Sequence, residues 1–179
     1  MGIVMATSGG EHRDPGDPGA GTGGREPRWL SPDEQRAWRA YLDANRLLVE
    51  AIDQELQRDA GIPHTYYEIL VRLSEAPDRR MRMSDLAEAA TASRSRMSHA
   101  VARLEAMGWV RRDECPTDRR GQLAVLTDEG FAALEAAAPG HVECVRQSLF
   151  DPLTPEQVDA LREISEAVVR RLGAGRAPC

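Results

Sequence analysis

The chain has 179 residues, 41% hydrophobic and 4% aromatic, which is enough for one globular domain with a core of its own. Acids outnumber bases 29 to 23, for a net charge of −6, and no run approaches the ~20 apolar residues that span a membrane. The three cysteines, Cys115, Cys144 and Cys179, are odd in number and widely spaced. They exclude a disulfide framework or a paired zinc motif and point to a reducing, cytoplasmic setting.

Residues 1–30 read as a disordered tail, because residues 1–27 hold eight of the 15 glycines and few apolar side chains. Ser31-Pro32-Asp33-Glu34 combines an N-cap, a proline at the first helical position and a capping-box glutamate. The helix it opens is expected to run to about Asp59, with Trp38, Tyr41, Leu42, Leu48, Ile52 and Leu56 as its apolar stripe. A second helix is expected from Tyr66 to Ala76, stopped by Pro77. Ser84 reads as the cap of a short helix, Asp85 to Ala90, and Ser93 begins the next, which ends at Met107 before Gly108. Trp109–Glu114 alternates like a strand, Gln122–Thr127 is its partner, and Cys115–Gly121 is the polar turn between them. A fifth helix follows from Asp128, with a bend expected at Pro139-Gly140, and reaches about Phe150. Thr154 caps a last helix to Leu172, whose stripe is Val158, Leu161, Ile164, Val168 and Leu172. Residues 173–179 read as a tail.

Two short helices and then a hairpin is the order of a winged helix-turn-helix, so the expected fold is mainly α with a small β-hairpin wing at about residues 62–127. The charge distribution agrees. Residues 79–120 carry ten arginines against six acids, while the rest of the chain is acidic. A local positive module in an acidic protein suits a reader of nucleic acid better than a general polyanion binder. The chain has no lysine, so every side-chain cation is a guanidinium, able to grip phosphate or a guanine edge bidentately. There is no Gly-rich phosphate loop, no nucleophile elbow and no paired metal-ligand motif, so an enzyme is not expected, nor is a cofactor.

The arrangement resembles the MarR family of bacterial transcription regulators. Asp118-Arg119-Arg120-Gly121-Gln122-Leu123-Ala124-Val125-Leu126-Thr127 follows that family's wing pattern, D-x-R-x-x-x-V-x-L-T, with Ala124 where valine is usual. Ser93-Arg94-Ser95, with Val101, Arg103 and Leu104, looks like its recognition helix. The resemblance covers about residues 31–172. It implies a homodimer joined through helices at about 31–60 and 128–172, bound to an inverted-repeat operator in double-stranded DNA. By the same resemblance it is a repressor, released by a small molecule.

On a helix, Met97, Val101 and Leu104 share one face with Ala100 beside them, and that face must pack inward. Ser93, Arg94, Ser95, Arg96, Ser98, His99 and Arg103 are then the expected DNA contacts, reaching bases and phosphates in the major groove. In the wing, Arg120 aligns with the family's minor-groove arginine, Arg119 is expected at phosphate, and Asp118 holds an arginine in place. Arg111 and Arg112 read equally well as phosphate contacts or as solvated strand residues.

Trp38, Tyr41, Tyr66, Tyr67 and His141 are candidates for a pocket that takes an aromatic or phenolic effector; the simpler reading makes Trp38 and Tyr67 core residues. His141 and Cys144 share a helix face, but two ligands do not make a metal site. Two alternatives stay open: a winged helix used for protein contact alone, and a redox response at Cys115, whose arginine neighbours would lower its thiol pKa.

Overall fold

The computed structural model describes residues 27–90, 92–115 and 118–173, without the side chains of 118–120. Most of the tail expected over 1–30, and 174–179 at the other end, lie outside the described residues.

Helix α1 spans Pro32–Asp59. Its capping box is closed in both directions: Glu34 N–H donates to Ser31 Oγ at 3.2 Å and Ser31 N–H to Glu34 Oε2 at 2.7 Å. Gly61, at φ 68°, turns the chain out of α1. Helix α2, His64–Glu75, begins two residues before the expected Tyr66. Pro63 offers it no side-chain cap, but Asp53 on α1 does the work, accepting from His64 N–H at 2.8 Å. That contact between two helices is invisible to local sequence rules.

After Pro77 a single 3-10 turn (Pro77–Arg79) places Asp78 and Arg79 at φ 51° and 52°, conformations costly for residues with a Cβ. Arg79 is tied down twice, by an ion pair to Asp128 at 3.2 Å and by its guanidinium lying 3.8 Å over the Phe131 ring. The turn leads into a strand not anticipated from the sequence, β1 (Arg80–Arg82). The wing is therefore part of a three-stranded antiparallel sheet in the order β1-β3-β2, with Arg80 opposite Val125 and Arg82 opposite Leu123.

Helix α3 (Met83–Ala89) starts ahead of Ser84. The expected cap is thus a first-turn residue, and its hydroxyl bonds Asp85 Oδ1 at 2.9 Å instead. Helix α4 (Arg94–Ala106) is capped as expected, Ser93 Oγ accepting from Arg96 N–H at 3.3 Å. It ends at Gly108, φ 77°. Strands β2 (Val110–Cys115) and β3 (Asp118–Leu126) form the wing. The turn expected over Cys115–Gly121 is narrower than that, because Cys115 already pairs with Asp118. The next pair is Glu114 with Gln122, so residues 119–121 bulge opposite a single step of β2. Ala124, the departure from the family's wing pattern, is fully buried in the central strand between Met81 and Arg112.

Thr127 joins the sheet to helix α5 (Asp128–Val145). Its hydroxyl donates to the Gly108 carbonyl at 2.7 Å and accepts from Gly130 N–H at 3.0 Å, while its own N–H donates to the Trp109 carbonyl at 3.0 Å. Gly130 has no room for a side chain, since a Cβ there would run into that same Trp109 carbonyl. Helix α5 stays helical through Pro139 and continues into a π-helical segment, Arg146–Phe150. Helix α6 (Pro155–Gly173) opens on a reciprocal pair of bonds between Thr154 and Gln157.

The core lies within the winged module and the helix turns packed on it. Leu56, Ile62, Ile69, Leu70, Leu73, Leu86, Met97, Val101, Leu104 and Val110 are fully enclosed. Leu134 and Ala137 bring α5 into this cluster, and α6 contributes no buried residue. No helix among the described residues is long and apolar enough to cross a membrane.

Candidate nucleic-acid interface

Helix α4 has one anchored side and one free side. Met97, Val101 and Leu104 are enclosed, with Ala100 nearly so. The expected contact residues Ser93, Arg94, Ser95, Arg96, Ser98, His99 and Arg103 are all exposed. The Ser93 hydroxyl is occupied as the N-cap acceptor, which leaves its proton free to donate outward. Helix α3 supports α4 from beneath through the buried Leu86 and Ala87.

Arg112 fits neither role expected of it. Its side chain is 23% exposed and folds back from β2 onto α4. There Nη2 donates to the Ser98 carbonyl at 2.8 Å, and Nε stands 3.0 Å from Glu105 Oε2. Nε has no directed hydrogen bond, so the Glu105 contact is Coulombic. Arg112 is a strut that fixes the recognition helix against the wing. Arg111 pairs with Asp113 along its own strand. Neither role follows from strand alternation, because each partner is settled by the register and by the approach of α4.

Between the start of α3, the first half of α4 and the wing lies an open notch of about 450 Å³, lined by Arg82, Met83, Ser84, Arg94, Ser98, Gly121 and Gln122. Arg82, Ser84 and Gln122 add polar groups to the α4 surface that periodicity alone does not single out. The wing residues Asp118, Arg119 and Arg120 belong to β3; their side chains lie outside the described residues.

The five effector candidates do not come together. Tyr67 and His141 are in contact, ring centroids 4.4 Å apart, and His64 stacks beyond His141 at 6.2 Å. They line a cleft of about 330 Å³ between α2 and α5 with Glu68, Val71, Arg72 and Glu75. Two buried nitrogens near it, His141 Nδ1 and Arg72 Nε, have no hydrogen-bond partner. Burial, then the neighbouring His64, holds the His141 pKa below its usual value; burial, then the charge of Glu55, raises that of Tyr67. Tyr66 is half-buried against the core. Trp38 and Tyr41 stack on each other at 6.0 Å toward the other end of α1. Trp38 is 52% exposed, so the core role expected for it does not hold within one chain, whereas Tyr67 is indeed buried. Cys115 is 6% exposed, which removes the accessibility that a redox response there requires. Among the described residues no group of three His, Cys, Asp or Glu is arranged to hold a metal ion.

Comparison with known proteins meets this geometry directly. The MarR family profile matches residues 62–121, from the start of α2 to the wing. The crystal structure of Sco3205, a MarR family transcriptional regulator from Streptomyces coelicolor in complex with DNA, is 57% identical. It superposes with a TM-score of 0.78 over 83% of this chain and 93% of that one. The chain belongs to the MarR family. AbsC, a MarR family transcriptional regulator from the same organism, is 44% identical over 83% of this chain and 99% of its own, with a TM-score of 0.76. The transcriptional repressor MprA of Escherichia coli K12 is 30% identical over 112 residues, 63% of either length. The MarR-type fold is thus that of a transcriptional regulator, and the profile match covers α3, α4, β2 and the first residues of β3.

Proposed function

We propose that this MarR family regulator binds double-stranded operator DNA as a homodimer and represses transcription until a small aromatic or phenolic effector releases it. The observation that carries the DNA reading is the two-sided α4: an enclosed apolar face opposite an exposed face of serine, arginine and histidine beside an open notch. Small side chains let the helix backbone approach base edges, and Arg94, Arg96 and Arg103 supply charge for phosphate or guanine. Arg120 is assigned to the minor groove, Arg119 to phosphate and Asp118 to holding the wing arginines. A two-fold dimer would set two such helices about 34 Å apart, in successive major grooves, and so would read an inverted repeat.

Dimerisation is supported by apolar side chains that a single chain leaves uncovered. Trp38, Tyr41 and Leu42 on α1 and Ile164, Val168 and Leu172 on α6 all face solvent, more exposed apolar surface than a lone soluble chain tolerates well. The effector is assigned to the cleft at Tyr67 and His141, where Arg72 and His64 add cationic or hydrogen-bonding partners for a phenol or its acid.

The test is a gel shift of the full chain on its own upstream region across a salt series. A specific shift that weakens steeply with salt supports the reading. No shift at low salt, from folded and dimeric protein, would move the assignment to a protein-contact role.

A further inference from the structure

The junction of α1 and α5 holds a feature that DNA binding does not use. Glu55 is 6% exposed, and its Oε2 has no hydrogen-bond partner. A carboxylate oxygen taken out of water with nothing in exchange is costly, and such groups normally have a counterpart. Glu55 lines a pocket of about 320 Å³, whose other polar side chain is that of Asp59. The remaining surface is small or apolar: Ala133, Ala136 and Gly140 on one side, Trp109 at the base of the wing on another.

Gly140 shows how closely the carboxylates converge. A Cβ built there would stand 2.6 Å from Glu55 Oε1 and 3.6 Å from Asp59 Oδ2. Glycine is disfavoured in a helix interior relative to alanine, yet α5 has one at the single point where both acids of α1 approach it. The nearby cation, Arg58, is engaged with Asp59 at 2.6 Å and forms no ion pair with Glu55. Burial, reinforced by the charge of Asp59 and only partly offset by that of Arg58, raises the Glu55 pKa.

We propose that this pocket is a binding site for a small organic cation, a primary or secondary ammonium on an apolar body, whose N–H donates to the Glu55 carboxylate. Carboxylates at one end and alanine, glycine and indole along the walls are complementary to a molecule positive at one end and apolar at the other. The volume is within the range of small-molecule sites, about 300–1,000 Å³. A bare metal ion is a poorer match, because among the described residues no third His, Cys, Asp or Glu joins the two acids in a group that could hold one. The site stands on the pocket alone and is independent of the operator reading.

The experiment is calorimetric titration of the full chain with 2-phenylethylammonium and n-butylammonium chlorides, 2-phenylethanol as the neutral isostere, and magnesium and zinc chlorides. Saturable ammonium binding at or below about 1 mM, at least about tenfold tighter than the alcohol, is expected. Glu55→Gln should weaken it by at least about tenfold while melting no lower than the parent. Ala136→Leu, which fills the pocket from its exposed side, should do the same and serves if Glu55→Gln does not fold. The proposal is overturned by any of three results: no saturable heat with either ammonium, equal binding of the alcohol, or Glu55-dependent binding of a metal in place of the ammonium. Unchanged ammonium affinity in Glu55→Gln, or in Ala136→Leu if that is the variant that folds, overturns it as well.

Discussion

The winged module and the terminal helices are built to opposite rules. In the module, Leu73, Leu86, Val101 and Leu104 are completely enclosed within one chain, and the sheet closes around Ala124. On α6, a stripe of similar composition (Ile164, Val168, Leu172) encloses nothing. Hydrophobic periodicity therefore means two things in this protein. In the centre it describes a core already complete; at the ends it describes apolar faces that the single chain leaves uncovered. Helix α1 contains both: Ile52 and Leu56 are buried, while Trp38 and Tyr41, about 20 Å farther along the axis, are exposed.

Substitutions can separate the two rules. Leu104→Ala should cost the module about 2–5 kcal/mol in urea unfolding, since it leaves a cavity in a filled core. Ile164→Glu combined with Val168→Glu should lower that unfolding free energy only by the dimerisation contribution and make it independent of protein concentration. In sedimentation, the double variant should convert a dimer to a monomer and lower operator affinity by about a hundredfold or more through loss of the second half-site. A double variant that stays dimeric would remove α6 from the pairing surface.

Arg112→Ala comes next. With the strut to the Ser98 carbonyl gone, stability should fall by about 1–2 kcal/mol and operator affinity by about tenfold. The salt slope should be unchanged, because no phosphate contact is lost; a slope lower by about one unit would make Arg112 a phosphate ligand instead. Arg112→Lys should not restore affinity, as an ammonium cannot serve two directions at once. The smallest effect is expected at His141. Its folded pKa lies below the usual 6.5, so the unfolded chain takes up the proton first as pH falls. Stability from the neutral ring is therefore present above that value and declines from about pH 6.5 downward. Melting temperatures compared at about pH 7.5 and 5.5 should differ less in His141→Gln than in the parent.

What could be read from the chain alone follows the same division. Ser31, Ser93 and Thr154 are recognisable caps because their partners lie three residues away. The two sides of α4 are recognisable because a 3.6-residue period fixes them. Strand β1 was not, since three residues carry no period and their partners begin more than forty positions later, Arg82 opposite Leu123. Ser84 misled because a cap sequence can also sit in a first turn when the preceding strand delivers the chain already extended. The effector candidates are expected near one junction of helices, but their separation is decided by where α1, α2 and α5 cross. The role of Arg112 is likewise fixed by a contact fourteen residues back in the chain.

Thr127 has a mechanical consequence. One residue links the turn after the recognition helix, the base of the wing and the first turn of α5, through two hydroxyl bonds and its backbone amide. It acts as a rivet at the fulcrum of two levers, with α5 on one side and α4 on the other. Helix α4, with its 13 residues, is about 20 Å long. A rotation of about 5° carried through the rivet sweeps the far end of an arm that long by nearly 2 Å. A donor and acceptor at about 2.9 Å no longer form a hydrogen bond after such a displacement. Grip on DNA can thus be gained or lost without unfolding any element, by a tilt too small to disturb the core through which it passes.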